Sequence, residues 1–580
     1  MNEKFISGGL RAGGLLAAGA VLLTVAALPA FCQEDSSTRP YRPVTDQQLL
    51  DPPVGDWLQY RRTYDGHGYS PLKQINAQTV KGLSPIWSFS TGVTGGHEVV
   101  PVEHDGILFI TTAYNKVIAL DARSGKFLWK YERDLPDRAL AAVCCDVVNR
   151  GGALYGDKFY FGTIDAHLVA LKAKTGEVAW DTKVADYSDG ITITGAPIVV
   201  KGNVITGMTG GEFGARGRLT AVNAETGKIC WTTYTIPGPG EKGNETWGGE
   251  GWKHGGGTTW TTGVFDPKQN LIFWGTGNPG PWSGDQRPGD NLYTVSTIAF
   301  DADTGAIKMY YQYVPHDLWD YDNITTPMLI DVKRDGKTVQ GIFTTHKHGY
   351  SYLLDRTDMK FIYAQPFMAT TTFSSVDPKT GRPTMNPAKD PSKGEVDVCP
   401  SFLGGTNYMP LSYNPDSGLA FVPGNEWCET IKDLPDAPYK AGKAYVNAEF
   451  HMHPAPGALG AGGFIKAINV KNGEAMWTKK FEDPIWSGTL ATGGDIMFGG
   501  GTASRDFMAL SAKTGDVLWK FRTNSGLVGA PITYELDGVQ YVATVSGWGG
   551  AIPIWTGVIN DKYTKDVPQG GVVFVFALKK

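Results

Sequence analysis

A short pattern recurs along the chain: an apolar residue, Asp or Asn, two variable residues, then Thr, Ser or Asn, Gly, three more residues and Trp. It runs from Leu120 through Asp121 and Gly125 to Trp129, and returns at Leu171–Trp180, Val222–Trp231, Ile468–Trp477 and Leu510–Trp519, with Lys172 and Ser511 in the Asp position of two copies. Phe300–Tyr310 is a sixth copy with Tyr for Trp, and Leu354–Phe361 is a decayed one. The Trp spacings are 180 − 129 = 51, 231 − 180 = 51 and 519 − 477 = 42. A period of about 40 to 50 residues carrying a turn and a Trp is the signature of propeller blades of four strands each. In each copy Gly takes the positive φ of the turn and Trp packs on the next blade. Alternating apolar segments precede the motifs, such as Ile107–Thr112 and Lys158–Thr163, as half-buried strands require.

The expectation is an all-β chain, an eight-bladed β-propeller with Trp-docking motifs. Removing 32 residues of leader from 580 leaves 548, or about 68 per blade over eight blades, which is more than a blade needs. Ser374–Val398 and Ile431–Gly463, rich in Pro, Lys, Gly and Asp, are expected to absorb the excess as loops on one face. Composition agrees: 75 Gly and 12% aromatic residues suit short strands and tight turns, while Gly plus Pro, 110 of 580 residues, stays under the roughly 25% that marks low complexity. A net charge of −5 gives no basic footprint, so no nucleic-acid partner is expected.

At the N-terminus Lys4 and Arg11 precede the apolar run Gly13–Ala30, the order of a secretory signal. Residues 1–32 are expected to be removed as a signal peptide, leaving 33–580 as the mature propeller with no membrane span, exported to the periplasm.

Three features beyond the repeat narrow the class: adjacent Cys144 and Cys145, the string Trp274-Gly-Thr-Gly-Asn-Pro-Gly-Pro-Trp282, and the recurring Trp turn itself. Together they resemble the quinoprotein alcohol dehydrogenases, including the methanol dehydrogenases that use pyrroloquinoline quinone (PQQ). The resemblance runs from about Trp57 to the C-terminus and implies an eight-bladed propeller with the cofactor on its axis. Six cysteines are present, none in a CxxC or CxxCH spacing, so neither a ribbon zinc site nor a covalent haem is available. In an oxidising compartment Cys144 and Cys145 can close an eight-membered ring, with two reduced core thiols as the alternative. The family places such a ring against one face of the quinone. Cys399 and Cys428 are expected to form an ordinary disulfide, and Cys230, beside Trp231, to be a buried free thiol.

The resemblance implies a second face of the sandwich in Trp260 and a rim consisting of Glu98, Arg150, Thr194, Thr209, Gly210, Gly211, Thr258, Lys347, Asn407 and Trp486. Three positions depart from the methanol dehydrogenase pattern: Thr209 stands for Ser, Gly211 for Ala and Lys347 for Arg, a point charge in place of a planar fork. Glu212 and Asn278 match the family's metal ligands, oxygen donors suited to calcium-like ions. Asp320 matches the general base and also lies at the metal. Asp322, two residues on, resembles the lanthanide-dependent branch, since a third carboxylate beside Glu212 and Asp320 suits a trivalent ion better than Ca2+.

The implied chemistry is removal of the hydroxyl proton by Asp320 with hydride transfer to PQQ, giving an aldehyde, with electrons passed to a separate cytochrome c. Short primary alcohols are the expected substrates, including ethanol and larger ones, because Thr261 and Thr262 replace bulkier surroundings. A homodimer is implied by the family alone. The rivals are a non-enzymatic propeller scaffold, for which the Cys pair and the acidic set have no use, and a calcium-dependent quinoprotein for sugars, polyols or other alcohols.

Overall fold

The computed structural model describes residues 40–334 and 336–579. The expected signal peptide lies outside the described residues. Eight sheets each contain four strands in antiparallel succession, and one of them gains a fifth strand, Tyr69–Ser70, parallel to its first. Their first strands are Val102–His104, Ala153–Tyr155, Ile198–Val200, Val264–Asp266, Met328–Arg334, Ser412–Asn414, Leu490–Thr492 and Ile532–Leu536. The eighth sheet is completed by the N-terminal strand Leu83–Ser90, which pairs antiparallel with the C-terminal strand Val572–Leu578. Residues from the two ends of the chain thus share one sheet.

Burial grades across each sheet. Ile107–Thr111 and Val117–Asp121 are buried throughout, whereas the fourth strand Phe127–Tyr131 alternates with exposed residues. The repeat explains how neighbouring sheets meet. Trp129 Nε1 donates to Ala173 O at 3.0 Å in the second sheet, Trp180 to Ala224 O at 2.9 Å in the third and Trp477 to Ala512 O at 3.0 Å in the seventh. Trp519 donates to Leu83 O at 3.1 Å in the eighth, and Trp87 to Ala122 O at 3.3 Å in the first. The turn glycine is required on the receiving side: Gly125 has φ +73°, and a Cβ there would lie 2.6 Å from the Trp87 ring.

Three expectations are corrected. Cys230 is exposed, not buried, because it lies on the outermost strand Ile229–Tyr234, whose other face carries Trp231. The two stretches read as loops contain strands: Phe373–Val376 pairs with Pro383–Met385, and Val396–Val398, Trp427–Asp433 and Ala448–Pro454 form a three-stranded sheet. Alternation in Ile431, Phe450 and Met452 was diluted by their charged neighbours, which face solvent. The Cys399–Cys428 disulfide ties this added sheet together, and Cys144–Cys145 are joined as well.

Residues Gly55–Gly68 form a strap that touches the first strand of each of these eight sheets. Gly55 O accepts from Glu535 N, Trp57 exchanges two bonds with Glu103, Leu58 O accepts from Leu154 N, and Tyr64 Oη donates to Val199 O. Onward, Tyr64 O, Asp65 O, His67 O and Gly68 O accept from Phe265, Leu329, Tyr413 and Ala491 N–H. Among the described residues no helix is long and apolar enough to cross a membrane.

Candidate active site

The expected rim residues share one position in the architecture. Glu98, Arg150, Thr194, Trp260, Asn407 and Trp486 each precede the first strand of a different sheet by three to five residues. Glu212, Asn278 and Lys347 come from connections between second and third strands, which open at the same end in an antiparallel sheet. One end of the sheets therefore carries all of them.

Arg150 organises one half of the site. Its Nη2 pairs with Glu98 Oε2 at 2.6 Å and its Nη1 donates to Thr194 Oγ1 at 2.7 Å. The guanidinium lies 4.9 Å from the ring centres of both Trp260 and Tyr408. Burial pushes Glu98 up to about 7, against the opposing pull of Arg150. A Cβ on Gly550 would strike Glu98 Oε1, so that approach needs glycine. Trp486 is buried, stacks on Tyr408 at 5.9 Å, and its Nε1 meets no protein acceptor. Asn407 is held by its own loop, Nδ2 donating to Leu403 O at 3.0 Å. Thr209 bonds to Thr192 through both backbone and hydroxyl. Against this buried set, Cys144, Cys145 and Trp260 stay partly exposed.

Lys347 organises the other half. Its Nζ lies 3.1 Å from Asp320 Oδ2 and 2.7 Å from Asp322 Oδ2, and donates to Asp320 O at 2.9 Å. Asp322 Oδ1 accepts from Asn278 N at 2.6 Å. A Cβ on Gly277 would sit 2.6 Å from that oxygen, and one on Gly211 would sit 3.5 Å from Asn278 Oδ1 and 3.6 Å from Thr258 Oγ1. Gly210 adopts φ +114° at the start of the short turn that presents Glu212. Asp320 has φ +57°, a left-handed conformation that an Asp adopts at modest cost and that marks a constrained position. Its Oδ1 is buried without a hydrogen-bond partner. Burial, only partly offset by Lys347, holds Asp320 well above the usual carboxylate range, and burial followed by Asp322 raises Glu212. Burial works in the opposite sense on Lys347, but Asp320 and Asp322 hold its ammonium above its ordinary value.

Among the described residues no group of three or more His, Cys, Asp or Glu gathers tightly enough to hold an ion alone. Lys347 occupies the space between Asp320 and Asp322, which draws their Oδ2 atoms to itself. The donors left, Glu212, the Asn278 amide oxygen and the lone pairs that Lys347 does not use on Asp320 and Asp322, are hard oxygens and would fit an f-block or alkaline-earth ion completed by oxygens of the cofactor.

Comparison with known proteins fixes the family. Residues 57–364 and 379–542 match the model of the PQQ glucose/ethanol/alcohol dehydrogenase β-propeller domain. The chain belongs to the PQQ-dependent alcohol dehydrogenases. Within this family it is 42% identical to quinoprotein alcohol dehydrogenase PedH of Pseudomonas putida, over 97% of this chain and 96% of that protein. It is 39% identical to methanol dehydrogenase [cytochrome c] subunit 1 of Methylorubrum extorquens, over 90% and 88% of the two chains. A solved europium-containing methanol dehydrogenase superposes with a TM-score of 0.87 at 35% identity, covering 92% of this chain and all of the other. The enzyme is a quinoprotein oxidoreductase acting on alcohols.

Sequence reasoning missed several members of this dehydrogenase site. Tyr408 follows Asn407 directly and lies between Arg150 and Trp486. Asp317 is buried and raised to about 6 by that burial, and its carboxylate accepts from Trp319 N and Tyr321 N, shaping the loop that displays Asp320. Glu429 is buried beside Cys428, with Oε1 accepting from Phe402 N at 3.0 Å. The third acid in His316-Asp317-Leu318-Trp319-Asp320-Tyr321-Asp322 was the available signal for Asp317.

Proposed function

We propose that this enzyme oxidises primary alcohols, methanol, ethanol or larger, to aldehydes in the periplasm, using PQQ and a lanthanide ion and passing electrons to a cytochrome c. The eight sheets are its blades, and the Trp contacts help dock one blade to the next. The observation that carries the metal assignment is a surplus of carboxylates: Glu212, Asp320 and Asp322 share one ammonium, that of Lys347. Once a carboxylate of PQQ joins them, the three acids and Lys347 carry a formal charge of about −3, which a trivalent ion neutralises and Ca2+ leaves negative. The likeness to a europium-containing methanol dehydrogenase supports the same choice.

PQQ supplies the two-electron acceptor, and an ion held by Glu212, Asn278, Asp320 and Asp322 supplies the Lewis acid. The chain does the rest. Lys347 fixes Asp320 through Oδ2 and the backbone carbonyl, leaving Oδ1 to take the hydroxyl proton of the alcohol. Arg150 and Thr194 present donors to the anionic edge of the cofactor, while Trp260 and the Cys144–Cys145 ring bound its two faces. Export would be directed by residues 1–32.

Metal-free protein reconstituted with PQQ and either lanthanum or calcium, assayed by quinone absorbance and dye reduction with methanol, ethanol and glucose, tests this reading. Activity with lanthanum and little with calcium is expected. Equal activity with both ions would leave a calcium-type dehydrogenase, and no quinone band would leave a propeller scaffold.

A further inference from the structure

At the centre of the strap two polar side chains are buried without full partners. Arg61 is 3% exposed and Gln59 2%. Arg61 Nη2 donates to Leu411 O and, at 2.9 Å, to Thr489 O. Its Nε and Nη1, and both amide atoms of Gln59, meet no protein partner. The two residues line the same small cavity with Tyr60, Thr63, Gly66 and Thr262.

Other buried cations among the described residues have carboxylates beside them or acting on them, Arg62 through the fields of Asp65 and Asp56. Arg150 has Glu98, Arg356 has Asp266, and Lys347 has Asp320 and Asp322. Arg287, equally buried, uses Nε, Nη1 and Nη2 on four acceptors and has Asp317 close by. Arg61 has no carboxylate partner among the described residues. Burial lowers it only to about 10, opposed by Tyr60, so it stays charged at neutral pH. Gly68 keeps it in this pose, because a Cβ there would overlap the guanidinium. Leaving such a charge uncompensated in the interior is strongly unfavourable.

We infer that Arg61 and Gln59 form a binding site for a small inorganic monoanion of the halide class, enclosed between the strap and the first strands. The N–H groups of Arg61 Nε and Nη1 and the Gln59 amide supply its donors. One guanidinium and one neutral amide balance a single negative charge. A divalent oxyanion would leave a net charge behind, and the cavity is too small for an organic carboxylate. The ion neutralises the strap where it crosses the sheets, so its binding couples to folding.

The test uses holoenzyme with PQQ and metal bound. Crystals grown without halide and transferred into bromide should show an anomalous bromine peak against the Arg61 guanidinium; water, a cofactor oxygen or no peak there would overturn the site. In solution the unfolding midpoint should rise by a few degrees, saturably, between about 1 and 100 mM chloride relative to gluconate at equal ionic strength. Arg61→Met should abolish the chloride dependence while retaining alcohol oxidation. Should that variant not fold, Gln59→Leu should weaken the apparent chloride affinity severalfold, and midpoints identical in both salts for the parent enzyme would overturn the inference without any variant.

Discussion

Two buried cations meet carboxylates at the same end of the sheets, with opposite charge balances. Arg150 faces one acid, Glu98, at 2.6 Å, and spends its planar fork on Glu98 and Thr194 between two aromatic faces. Lys347 faces two, Asp320 and Asp322, and Glu212 adds its field to Asp320. The first cluster is neutral and geometrically rigid, suited to orienting an anionic edge. The second is over-negative and holds one oxygen without a partner, suited to receiving a cation and a proton. The contrast teaches that charge count, rather than residue type, divides the labour within the site.

The most severe way to break the contrast is Asp320→Asn. It keeps the shape but removes the proton acceptor, and kcat should fall about 10²- to 10⁴-fold with PQQ retained, as read from quinone absorbance beside turnover. Near-parental kcat would take the base away from Asp320. Arg150→Lys keeps the charge and loses the fork, and PQQ affinity should drop roughly 10- to 100-fold in an equilibrium titration of apoprotein. If affinity holds, geometry is not what the first cluster contributes. Asp322→Ala removes the surplus charge, and the apparent lanthanum affinity should weaken about tenfold or more while the calcium response improves relative to it.

A finer measurement separates the clusters by pH. Burial raises Glu98 to about 7 from an ordinary 4.5, so the folded apoprotein binds this proton more tightly than the unfolded chain. Stability should therefore be greatest below that window and decline as pH rises through it, from about 4.5 to 7. Glu98→Gln should flatten that slope in denaturant titrations; an unchanged slope would place its origin elsewhere. The smallest effect on stability is expected for Cys144→Ala with Cys145→Ala, since the ring closes no long loop. The melting temperature should barely move while dye reduction suffers, and unfolding at ambient temperature would reverse that ranking.

The regular parts of the molecule were legible because they repeat. Gly125 and Trp129 recur at fixed offsets, and four of the copies make the same Trp N–H bond to the next sheet, so weak local signals reinforce one another. The rim candidates come from motif resemblance, and the place that six of them share before first strands follows from the regularity of the repeat. Tyr408, Asp317 and Glu429 were not readable, because a buried polar group is defined by what surrounds it and no spacing announces it. Cys230 was misjudged for a related reason: adjacency to a packed, half-buried Trp in a strand places a residue on the opposite face. The strands in 373–398 and 427–454 were obscured by solvent-facing charges that dilute the alternation.

The strap carries a consequence for how the chain can assemble. Gly55 bonds to Glu535, a separation of 535 − 55 = 480 residues, and the strand Leu83–Ser90 needs Val572–Leu578 as its partner. The portion synthesised first is therefore locked into place last, after the final strands exist to receive it. Contacts of such long sequence separation make folding slow. The same closure acts as a latch on the finished enzyme: no sheet can peel away without releasing a segment shared by all the others, so resistance to unfolding is set by the rate at which that one segment lets go.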